Sequence, residues 1–123
     1  STVIKSERLE DTGEVMAFVG LIAEGLALMD WYKRGADPDK YPELQNDAEN
    51  NAVLVVASKD GVREYGFGAP FPVVQIDPYL AWGSGKDVAL GALAMGATAE
   101  QAVNIASRLV TTCGNGVDVY KVR

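Results

Sequence analysis

The chain has 123 residues, 17 acidic against 11 basic, a net charge of −6 and no histidine. That length fits a single domain with a real core, and that charge argues against nucleic acid or an anionic membrane as partner. One cysteine, Cys113, excludes an internal disulfide framework, and without histidine a zinc site or a His-based triad lacks its ligands or base.

Ser1 to Lys5 is β-prone and Ser6 to Asp11 is charged. Thr12-Gly13 then turns into the apolar run Glu14 to Gly20. Residues 1–20 therefore read as two strands around a turn. From Leu21 to Arg34 the period changes: Leu21, Ile22, Gly25, Leu28, Met29 and Tyr32 recur at helical spacing. Lys33 and Arg34 suit a last helical turn, and Gly35 suits its C-cap. Gly25 costs about 1 kcal/mol of helix propensity against alanine, which close packing of the helix on a sheet would explain. Gly35 to Asn50, with Asp37-Pro38 and Tyr41-Pro42, reads as a surface loop with one helical turn.

Asn51 to Ser58 holds the β-branched run Val53 to Val56. Lys59-Asp60-Gly61 is a hairpin turn signal, and Val62 to Tyr65 answers as the return strand. Gly66 to Pro78 is rich in glycine and proline and contains Val73 to Ile76, whose flanking prolines mark an edge or interrupted strand.

Ala81 to Leu90 reads as a strand end, a Gly83-Ser84-Gly85 turn and the start of a helix running to Met95. Backbone N–H groups at such a helix start can face negative charge. Ser84 is equally suited to a plain capping role. After Gly96, Thr98-Ala99-Glu100-Gln101 is a capping-box pattern that opens a second helix to Leu109. Cys113 to Gly116 is a turn, and Val117 to Val122 alternates as a final strand. The expected strands are residues 13–20, 51–58, 62–66 and 117–122, and the expected helices 21–34, 86–95 and 99–109. Strand pairs alternate with helix pairs, which predicts layered α+β rather than a doubly wound nucleotide fold. Neither a Gly-x-Gly-x-x-Gly after a strand nor a P-loop occurs.

Thr2-Val3-Ile4-Lys5, Met16 to Gly20, Ala23-Glu24 and Gly83-Ser84-Gly85 together resemble the proteasome β-subunit and the bacterial proteasome-like peptidase HslV. Ala81 to Leu90 and Gly114 to Val119 most resemble small proteasome-like proteins of bacteria and phages. The resemblance runs over essentially the whole chain. It implies α+β architecture of a particular kind, an αββα four-layer sandwich of the N-terminal nucleophile hydrolase type, with 1–123 as a single domain. In that family the first residue of the mature chain is the nucleophile, usually threonine, and its own amine serves as the base.

By the same resemblance Gly20 matches the oxyanion-hole glycine and Ser84 the serine beside the nucleophile. Arg8 stands where a catalytic lysine is expected. Arginine is permanently protonated and cannot share a proton with a nucleophile, although its charge can assist. Asn115 and Gly116 fall in a loop near the nucleophile. Ser1-Thr2-Val3-Ile4-Lys5 matches the strand after the family's first hairpin, so the expectation is an N-terminally incomplete domain. Ser1 would be a nucleophile only if the fold closed differently, and the chain from Ser1 onward is expected not to cleave peptides.

Three readings of function stand together. One is a threonine-type peptidase, or an inactive relative of one, acting on peptide substrates. Another is a non-catalytic phage or bacterial assembly or virion-associated protein that keeps the sandwich. The third is an α+β domain with an unrelated binding role. The proteasome-like resemblance implies a homo-oligomer built partly through helix surfaces, with Trp31, Tyr32 and the Gly35–Asn50 loop as contacts; helix-core packing is the competing role for Trp31. No cofactor, metal, nucleic acid or membrane is implied. No apolar stretch is long enough to span a bilayer, no signal peptide opens the sequence, and a cytoplasmic setting fits.

Overall fold

Thr12-Gly13 sets the first hairpin. In the computed structural model, which describes residues 5–46, 51–76, 90–93, 95–96 and 98–109, Gly13 takes a φ of +75°. The Leu9 N–H donates to the Glu14 carbonyl at 2.7 Å, and the Gly13 N–H donates to the Leu9 carbonyl at 2.8 Å. The Thr12 hydroxyl accepts the Glu14 N–H at 3.2 Å, a local side-chain turn. This turn joins β1 (Lys5–Arg8) to β2 (Val15–Val19) in antiparallel register.

Gly20 and Leu21 lead directly into α1 (Ile22–Lys33). The helix ends as its sequence predicts. The Gly35 N–H donates to the Tyr32 carbonyl and the Ala36 N–H to the Trp31 carbonyl, both at 3.1 Å. With Gly35 at a φ of +109°, this is a Schellman closure. The buried stripe of α1 is Gly25, Leu28, Met29 and Trp31. Leu21 and Ile22, counted with the apolar stripe on sequence, are instead exposed. Trp31, weighed as an assembly contact, is core at 5% exposure. Its ring packs edge-on against Tyr41 and Tyr65, and its indole N–H donates to the Asp37 carbonyl at 2.7 Å.

β3 (Val53–Ser58) starts beside the end of β2, with Val53 opposite Val19. A helix of 12 residues carries the chain about 18 Å away, so the segment after it must return. That accounts for the long loop. One turn of 3₁₀ helix at Pro38–Lys40, capped by the Asp37 carboxylate, lies within it. The Tyr41 hydroxyl fastens the loop to the Gly66 carbonyl at 2.5 Å, and the Gln45 N–H donates to the Glu24 carboxylate at 3.0 Å.

β3 turns through Lys59-Asp60 into β4 (Gly61–Tyr65), which pairs with β5 (Val73–Gln75). The sheet order is β1-β2-β3-β4-β5, every pair antiparallel. Strand alternation aims Met16, Phe18, Leu54, Val56 and Tyr65 at α1, where all are buried. Val15, Ala17, Val19, Val53 and Val55, on the other face, are half-buried.

Contacts gather the chain into two compact units, one holding Val3–Ile76 and the other Asp77–Val119. In the second, residues 90–93 are helical and Gly96 has a φ of +102°. α2 (Ala99–Leu109) opens on the expected capping box. The Thr98 N–H donates to the Gln101 side chain at 2.9 Å, and the Gln101 N–H donates to the Thr98 hydroxyl at 3.2 Å. The strand expected over residues 117–122 lies outside the described residues, as do residues 86–89 and 94 of the helix expected over 86–95, and Met95, expected at its end, lies in a turn.

Candidate functional site

The end of β2 is the part of the expected site that can be built from the chain upward. Gly20 has a φ of +94°, a conformation that L side chains rarely adopt. Space excludes a side chain as well. A Cβ there would collide with the Asn51 carbonyl oxygen and lie 2.7 Å from its carbon and 2.8 Å from the Ala52 Cα. Gly20 is therefore required twice over, by its dihedral and by the backbone that opens β3.

Strand register places the other candidates. Arg8 pairs with Val15, five residues before Gly20, or roughly 16 Å along a strand. Its guanidinium donates to the Gly13 carbonyl at 3.0 Å, at the turn end of the hairpin. Arg8 and Gly20 are thus at opposite ends of β2. Lys5, which the sequence had not singled out, pairs with Phe18, two residues before Gly20. The signal available in the sequence was the hairpin count: residues nearer the start of β1 lie nearer the end of β2. Ser84, Asn115 and Gly116 fall outside the described residues.

At the turn end stands a polar cluster that sequence reasoning missed. An Arg63 NH2 group donates to the Glu14 carboxylate at 2.7 Å and to the Tyr32 hydroxyl at 2.8 Å. Tyr32 in turn donates to Glu14 at 3.0 Å. Burial, reinforced by the hydrogen bond to Glu14, pushes the Tyr32 hydroxyl up to about 12. It stays protonated near neutral pH and is no general base there. The cluster's three members come from the residue before β2, the last turn of α1 and the middle of β4. One sequence signal existed. Arg63 pairs with Val56, on the face that α1 covers, and a cation on a buried face needs partners. Glu14 and Arg63 also line an open cleft of about 380 Å³ between the β1–β2 and β3–β4 turns, together with Thr12, Lys59, Asp60 and Val74.

Among the described residues no group of three or more His, Cys, Asp or Glu side chains could hold a metal ion, and no helix is long and apolar enough to cross a membrane. No family model matches the chain, and no curated protein matches it. Among solved structures it is similar to the eukaryotic HslV of Trypanosoma brucei. The TM-score is 0.60 and the identity 23%, over 89% of this chain and 75% of that one. At that identity the likeness is one of fold: the chain has an HslV-like fold.

Proposed function

We propose that this chain is a proteasome- and HslV-like peptidase of the N-terminal nucleophile type, or a relative that has lost the activity. The observation that carries this reading is Gly20. Within an HslV-like fold, a glycine closes β2 at positive φ, pressed against the Asn51–Ala52 backbone. A rigid strand end of this kind suits an oxyanion-hole donor, because a preorganised N–H stabilises the developing oxyanion without rearranging. The half-buried apolar face opposite α1 suits a second stacked sheet, the inner pair of an αββα sandwich.

In the proposed reaction a hydroxyl at the mature N-terminus attacks a peptide carbonyl, and its proton passes to the free α-amine. The Gly20 N–H holds the oxyanion. The amine leaves with a proton, and water then hydrolyses the ester. Ser84 is proposed beside the nucleophile, with Asn115 and Gly116 in the adjoining loop. For the assisting cation, Lys5 is the better candidate than Arg8: it lies nearer Gly20 in register, and an ammonium can exchange a proton whereas a guanidinium cannot. The working form is proposed to be a homo-oligomer.

The deciding experiment combines cleavage of fluorogenic peptides with labelling by a peptidyl electrophile and mass mapping of the modified residue. In a longer form that carries the family's first hairpin with a free N-terminal threonine, label on that hydroxyl, with turnover lowered about 10²-fold or more in Lys5→Ala and little changed in Arg8→Lys, is the expected result, while the chain from Ser1 onward stays unlabelled and inactive. Absence of both label and turnover in the folded longer form would overturn the peptidase reading in favour of an inactive relative with an assembly role.

A further inference from the structure

We propose that the outer edge of β5 is a self-association surface, on which β5 of a second copy pairs antiparallel about a two-fold axis. Neither the HslV-like fold nor the peptidase reading is needed for this. Among the described strands β5 is bonded only to β4, and an edge strand leaves alternate N–H and C=O groups unpaired.

Five large apolar side chains fall within ten consecutive residues here. Phe67, Phe71, Val73, Val74 and Ile76 are between 53% and 90% exposed. Summed over the two sheet faces, between which Val73 and Val74 alternate, they leave roughly 600 Å² of apolar surface in water. Natural edges are blunted by lysine or inward-pointing charge, yet Gly66 to Ile76 carries no charged residue. Pro72, just before the strand, removes one donor but leaves Val73–Gln75 free of proline.

The choice of a second copy follows from charge and area. The chain carries a net charge of −6, so most of its surface repels an identical molecule. This neutral stretch is where two acidic copies can meet without bringing charges together. Pairing along the edge sets the apolar side chains of each sheet face beside those of the second copy, so part of both faces is buried. A free extended peptide would bring no comparable area to a three-residue strand and would lose more conformational freedom on binding. A two-fold axis makes the pairing isologous, so one sequence satisfies both sides.

The test is the mass of the full chain by sedimentation at high micromolar concentration, for wild type and Val74→Lys. Val74 is well exposed, so lysine there stays out of the core, and the circular dichroism controls for the like charge it sets opposite Arg63. Wild type is expected to sediment as a dimer or an even multiple, and Val74→Lys at half that mass with unchanged far-ultraviolet circular dichroism. Independently, Val74→Cys in a Cys113→Ser background is expected to form a covalent dimer on mild oxidation. A monomeric wild type, an assembly indifferent to Val74→Lys, or a Val74→Cys chain that stays uncrosslinked would each overturn the proposal. So would a monomer that binds a synthetic peptide of residues 71–77 in place of its own copy.

Discussion

The Phe18 ring fills the space where a side chain on Gly25 would begin. This contact sets how closely α1 lies on the sheet, because Gly25 is the first buried position of the helix and Phe18 is almost wholly buried near the end of β2. A helix that comes this near needs a residue without a Cβ at the crossing point. The propensity lost at Gly25 is offset by the packing of Phe18, Leu28 and Leu54 behind it.

Gly25→Ala therefore sets two effects against each other. Alanine regains about 1 kcal/mol of helix propensity, and overpacking against the ring costs about 1–3 kcal/mol. Steric cost is expected to win, so urea unfolding should give a net loss of stability. Phe18→Leu in the same chain should recover part of it, as coupled neighbours do. A Gly25→Ala protein more stable than wild type would show that the helix can lift away freely.

Gly20 and Gly35 separate backbone strain from crowding. Both have positive φ, but a Cβ on Gly35 would meet nothing within 4 Å, whereas one on Gly20 meets the Asn51–Ala52 backbone. Gly35→Ala should cost about 1–3 kcal/mol from the dihedral alone. Gly20→Ala should cost about 1–3 kcal/mol more, because backbone cannot swing aside as a side chain does. Chemical denaturation of the two variants checks the order, and equal losses would mean that the start of β3 yields at little cost.

Tyr32 predicts an alkaline limit. Its hydroxyl is raised from 10.0 to about 12 in the folded chain, by burial and then by the bond to Glu14. Above pH 10 the unfolded chain gives up this proton first, so the native state holds more protons. Stability from this group is thus complete below pH 10 and falls as pH rises toward 12. Tyr32→Phe should flatten that decline. At neutral pH it should cost about 1 kcal/mol through the lost hydrogen bonds. Unfolding curves for both proteins across the alkaline range are the measurement. An unchanged slope in Tyr32→Phe would assign the decline to other groups, of which Tyr41, raised to about 12 by burial, is the first to examine.

Much of the fold was legible where it depends on residues a few positions apart. Thr12-Gly13, the Schellman end at Gly35, the turn at Lys59-Asp60 and the reciprocal Thr98–Gln101 cap are each decided by local dihedrals and hydrogen bonds. The prolines around Val73 to Ile76 marked an edge or interrupted strand for the same reason, since a missing N–H is a local fact, and among the described strands β5 ends the sheet. Tertiary closure decided the rest. Helical spacing alone counted Leu21 and Ile22 as buried and left Trp31 open between core and surface, because a period gives a stripe but not the angle at which the sheet meets it. The Glu14–Tyr32–Arg63 cluster joins residues up to 49 apart. The distance from Gly20 that separates Lys5 from Arg8 follows from strand register. Such pairs form only once the chain has closed on itself, and no single stretch of sequence carries the energy that selects them.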